Sequence, residues 1–149
     1  MSNARLNRIF HATITAIATI SAGVGTGVGA AIRNGSISNT AAMIESASIA
    51  GIGTGLVVAA SGFFMKKENS FQTPSALRAI IEFALLDLAG TATGAGAKFF
   101  INSAASTAPF IDTTIGFPVT LGMLICLAKV SNYYLYDVIN PMFIESPRP

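Results

Sequence analysis

Four long apolar stretches follow one another along the chain, separated by short polar breaks. A helix needs about 20 apolar residues to cross a bilayer core. The pattern therefore predicts spans over about Arg8–Ile32, Thr40–Met65, Ser75–Ile101 and Phe110–Tyr136. The breaks read Arg33-Asn34-Gly35-Ser36, then Lys66-Lys67-Glu68-Asn69-Ser70, then Asn102-Ser103-Ala104-Ala105-Ser106-Thr107. Pro74 opens the third span, where the first helical N–H groups have no partner in any case. Pro118 falls inside the fourth and predicts a kink there, unless that helix starts at it. The reading is an all-α integral membrane protein: one four-helix domain over residues 1–149, with both termini on the same side. A transmembrane β-barrel would need strands of about ten alternating residues. Segments such as Ala12-Thr13-Ile14-Thr15-Ala16-Ile17-Ala18 alternate only briefly. No cleavable signal peptide is expected, because the first apolar run is too long.

Within this pattern, three stretches carry one small-residue phrase: Ala22-Gly23-Val24-Gly25-Thr26-Gly27, Ala50-Gly51-Ile52-Gly53-Thr54-Gly55 and Ala89-Gly90-Thr91-Ala92-Thr93-Gly94. Each contains Gly-x-x-x-Gly, as Gly23/Gly27, Gly51/Gly55 and Gly90/Gly94. Glycine costs a helix in water about 1 kcal/mol per position relative to alanine. In lipid, glycines four apart form a flat stripe on which a second backbone can lie. These six glycines are the candidate helix-packing residues. On the first helix, Phe10, Ile14, Ile17, Val24 and Val28 are predicted to face lipid. Ala12, Ala16, Thr19, Gly23, Gly27 and Ala30 are predicted to face other helices.

Composition agrees with the membrane reading: 52% hydrophobic and 11% charged residues, against roughly 25% charged in a soluble domain. The net charge of +2 is small and scattered, which argues against nucleic acid as a partner. Arg5, Arg8, Lys66, Lys67, Arg78, Lys129 and Arg148 gather on the side of the termini, with only Arg33 and Lys98 opposite. In a bacterial membrane that bias would put the termini in the cytoplasm. Tyr133, Tyr134 and Tyr136 read as an interfacial anchor. The single cysteine, Cys126, excludes an internal disulfide and reads as a buried small hydrophobe.

Charges inside the spans are where function would show. Arg33 and Glu45 fall near one surface and are placed to pair, as are Lys98 and Asp112. Glu82 follows Arg78 at i+4, with Lys129 at similar depth, and His11 lies near that surface. Asp87 is different. It lies mid-span on the face of Gly90 and Gly94, pointing into the bundle or a partner. Two readings stand: a carboxyl hydrogen-bonded to Ser or Thr of a neighbouring helix, and a proton or ion site.

No enzyme motif is present, neither a Ser/His/Asp arrangement nor His-Glu-x-x-His. The glycine phrases lack the strand a dinucleotide fingerprint needs before them. Neither cofactor nor metal is expected. Arg78-Ala-Ile-Ile-Glu82, six residues, Ala89-Gly90, three residues and Gly94 resemble a family signature, Arg-x3-Asp-x6-(Gly/Ala/Ser)-Gly-x3-Gly. Glu82 stands at the acid position. That signature belongs to the preprotein and amino-acid transporter family of organelles, whose members are four-helix proteins with glycine-rich faces. Within it the chain is most similar to the small accessory subunit of respiratory complex I, with a basic and aromatic run, Lys129–Asp137, after the last helix. The resemblance implies a non-catalytic subunit of the mitochondrial inner membrane. Its partners would be the other subunits of a large complex, and lipid. The alternative is a small transporter, channel or protein-translocase module.

Overall fold

The computed structural model describes residues 3–64, 76–102 and 107–134. They form four helices: α1 (Asn3–Arg33), α2 (Thr40–Phe64), α3 (Ala76–Asn102) and α4 (Ala108–Tyr133). Met65, Lys66, Lys67, Ser75, Tyr136 and Arg148 lie outside the described residues. All four helices are long and apolar enough to cross a membrane, so the chain is an all-helical membrane protein with four candidate spans.

Local chemistry sets the turn between α1 and α2. Gly35 has φ +63°, a left-handed conformation that suits glycine after a helix end. The Asn34 N–H donates to Ala30 at 3.0 Å and the Gly35 N–H to Ile32 at 3.1 Å, closing the last turn of α1. Asn39 then opens α2: its side-chain oxygen accepts from the Ala42 N–H at 3.4 Å, the usual role of Asn at a helix start. At the head of α4, Pro109 occupies the first turn, where its missing N–H removes nothing. Farther on, α4 continues through Pro118 as one helix, with the Thr114 hydroxyl donating to the Phe110 carbonyl at 2.9 Å.

The helices stand in the order α3–α2–α1–α4, each antiparallel to its neighbour, while α3 and α4 touch only lightly. Surface and interior are inverted relative to a water-soluble bundle. Ile52, Leu56, Leu85, Phe100 and Ile101 are exposed, and the largest fully buried side chains are Thr26, Thr54, Thr91, Thr120, Asp87 and Asp112. That distribution suits a hydrocarbon solvent, which welcomes Leu and Ile and forces polar groups inward. The buried apolar cluster is small: Ala18, Val58 and Phe83, with Leu86 and Leu124 against them.

Candidate functional site

The site begins with glycines. The α1 row His11-Thr15-Thr19-Gly23-Gly27 repeats every four residues and lies on α2. A Cβ added to Gly51 would be 3.4 Å from the Gly23 Cα and 3.1 Å from the Thr19 carbonyl oxygen, and one on Gly27 would be 3.3 Å from the Ala47 Cβ. Gly55 faces the Thr19 side chain. Two of the three Gly-x-x-x-Gly copies therefore face each other.

A second seam lies on the opposite side of α1. Gly25 is two residues from Gly23, about 200° around the helix. Added Cβ atoms on Gly25 and Gly29 would strike Thr120 and the Asp112 backbone, and one on Gly116 would strike the Gly25 carbonyl. A third seam joins α2 to α3. There Gly53 faces the Gly90 carbonyl, Gly90 faces Thr54 and Gly94 faces Ile49. Sequence reading singled out Gly90 and Gly94 but missed Gly25, Gly29, Gly53 and Gly116. The signal was available, since Gly25-x-x-x-Gly29 is itself a spaced pair.

Between the seams runs a line of buried polar groups. At the end nearest the α1–α2 turn, Asp112 is fully buried. It accepts from Arg33 Nε at 2.5 Å on Oδ1, from Arg33 Nη2 at 3.3 Å on Oδ2, and from Ser46 at 2.6 Å on Oδ2. Lys98 pairs with Glu45, so α1 is tied to α4 and α2 to α3 by ions. Thr113 donates to the Pro109 carbonyl at 2.8 Å. Having only one hydroxyl proton, it must accept from Thr26 and from Thr91, each at 3.2 Å. This one hydroxyl links α1, α3 and α4. One turn farther along α3, Thr54 donates to Asp87 Oδ1 at 3.3 Å. Asp87 is 1% exposed, and neither its Oδ2 nor the Ser21 hydroxyl has a partner among the described residues. Beyond that level the polar line ends at the apolar cluster of Ala18, Val58, Phe83, Leu86 and Leu124.

Several expectations need correction. The ion pairs are exchanged: Arg33 takes Asp112 and Lys98 takes Glu45, not Arg33 with Glu45 and Lys98 with Asp112. Glu45 and Ser46 are 100° apart on α2, and Ser46 occupies the side facing Asp112, which turns Glu45 towards α3. Cys126 is exposed rather than buried, since the buried residues of α4 end at Thr120. Ala12 and Ala16 are exposed, because they sit one residue past the row that meets α2. Glu82 accepts from Arg78 Nε at 2.7 Å, and both side chains are exposed. Ala89 also faces outward. Of the signature residues, Gly90 and Gly94 contact another helix and the rest line the outside of α3.

Among the described residues no group of His, Cys, Asp or Glu is arranged to hold a metal. Comparison with protein-family models, curated proteins and solved structures finds no match to this chain.

Proposed function

We propose that the chain is a non-catalytic structural subunit of a large membrane complex. On the signature resemblance, that complex is the respiratory complex I of the mitochondrial inner membrane, where the chain stabilises contacts between membrane subunits. The observation that carries the structural role is the uneven burial of the spans. In α1, 44% of the most apolar stretch is buried inside the bundle, but only 22% in α3 and in α4. Added Cβ atoms on Gly96 of α3 and Gly122 of α4 would meet nothing within 4 Å. Smooth, open helix faces of that kind suit partner helices.

The runner-up is a small transporter, channel or translocase module, favoured by Asp87 Oδ2, which has no partner among the described residues. The apolar cluster around Phe83 supports the structural reading over this one, because the line of buried hydrogen-bonded groups stops where it meets that cluster. Native electrophoresis after extraction in mild detergent tests the proposal. Comigration with a complex many times larger than 15.4 kDa, carrying respiratory activity, is expected. A free small oligomer would sink it. Asp87→Asn separates the two roles: loss of flux with assembly intact favours transport, and an assembly defect or no effect favours structure.

A further inference from the structure

At the end of the bundle away from the Arg33–Asp112 pair, α1 and α2 enclose an open cavity of about 230 Å³ lined by Arg8, His11, Thr15, Val58, Ala59 and Gly62. Its polar side comes from α1 alone, where Arg8, His11 and Thr15 follow at three and four residues and so share one face. Its other wall is the apolar end of α2. Arg8 and His11 are exposed, and no carboxylate pairs with either among the described residues. The Thr15 hydroxyl already donates to the His11 carbonyl at 2.8 Å, leaving the guanidinium and the imidazole as the side-chain donors among the lining residues. Gly62 keeps the space open: a Cβ there would lie 3.4 Å from His11 Nδ1, and a longer side chain would fill it. Arg8 also begins the first candidate span, which puts the cavity at headgroup depth.

A guanidinium offers paired N–H donors that match two phosphate oxygens, and basic pockets between spanning helices hold anionic headgroups. The geometry points to a binding site for the phosphate of an anionic phospholipid, with Arg8 and His11 holding the headgroup and an acyl chain lying along Val58 and Ala59. This site is independent of the subunit role proposed above. It tethers the α1–α2 pair, which carries the facing glycine stripes, to the membrane surface.

Native mass spectrometry of the full-length protein, stripped of lipid in detergent, tests the assignment. The protein is titrated in turn with phosphatidylglycerol, phosphatidylcholine and inorganic phosphate. A phosphatidylglycerol adduct is expected at concentrations where phosphatidylcholine gives little. Arg8→Ala should weaken it about tenfold, the scale of one lost charged hydrogen bond, while Arg8→Lys retains most of the binding. Gly62→Leu should abolish the adduct with both charges in place, and His11→Gln should weaken it without changing the helical circular dichroism. Undiminished binding by Arg8→Ala would overturn the site. Displacement of the lipid by millimolar phosphate would reassign it to free anions, against the proposal. Absence of any adduct to the wild type would also overturn it.

Discussion

Thr113 holds more of the interior together than its size implies. It accepts from Thr26 and Thr91 and donates to Pro109, so its single proton and both lone pairs are used. Thr113→Val keeps the shape but leaves two buried hydroxyls on other helices without an acceptor. A loss of about 1–2 kcal/mol is expected, measured by unfolding titration in mixed micelles, with Thr113→Ser close to wild type. The exchanged ion pairs give a second test at this scale. Lys98→Glu should destabilise the bundle, and adding Glu45→Lys should restore it, because those two side chains meet. Adding Asp112→Lys to Lys98→Glu should make matters worse, since it would set a cation against Arg33. Rescue by Asp112→Lys would reinstate the pairing that sequence reading favours. That reading placed Arg33, Glu45, Lys98 and Asp112 near one surface, and the structure gathers them at one end of the bundle. Depth follows from counting residues along a span, whereas partner choice depends on the rotation of each helix, which a uniformly apolar sequence does not set.

At the level of elements, the four helices were legible because a long apolar run in lipid has few alternatives to a helix. Their neighbours were not legible. The phrase Gly23-Val24-Gly25-Thr26-Gly27 reads as one stripe if only Gly23 and Gly27 are counted. The structure uses both faces, Gly23 and Gly27 towards α2 and Gly25 and Gly29 towards α4, which makes α1 a central helix with two close contacts. Substitution separates packed glycines from idle ones. Gly25→Val pushes a branched side chain into Thr120 and Gly53→Val into the Gly90 backbone, and overpacking of this kind costs about 1–3 kcal/mol or more. Gly96→Val and Gly122→Val enter open space and should stay within about 0.5 kcal/mol of wild type in the isolated protein. The same two substitutions would impair assembly if α3 and α4 receive partner helices. A thermal-shift series in detergent, followed by native electrophoresis, reads both effects from one set of variants.

Across the whole molecule, the polar line reaches a partly exposed arginine at one end and meets an apolar cluster at the other. Arg33, at the first end, keeps its side chain 32% exposed while holding the buried Asp112. From there the line passes Thr113 and Thr91 to Asp87, then meets Phe83 one turn farther along α3, packed with Ala18 and Val58. Hydrogen-bonded hydroxyls crossing only part of a membrane bind helices to one another without giving ions a route. On the structural reading proposed above, Asp87 is a packing carboxyl that ends at that cluster, not a transport site. The full-length protein in vesicles loaded with a pH-sensitive dye should therefore show no proton leak above protein-free vesicles under an imposed gradient. Phe83→Ala removes the largest side chain of the apolar cluster and should raise the leak if water then reaches Asp87, and Phe83→Ala with Asp87→Asn should bring it down again. A wild-type leak abolished by Asp87→Asn alone would mean that the cluster does not close the line and that the transport reading is the right one.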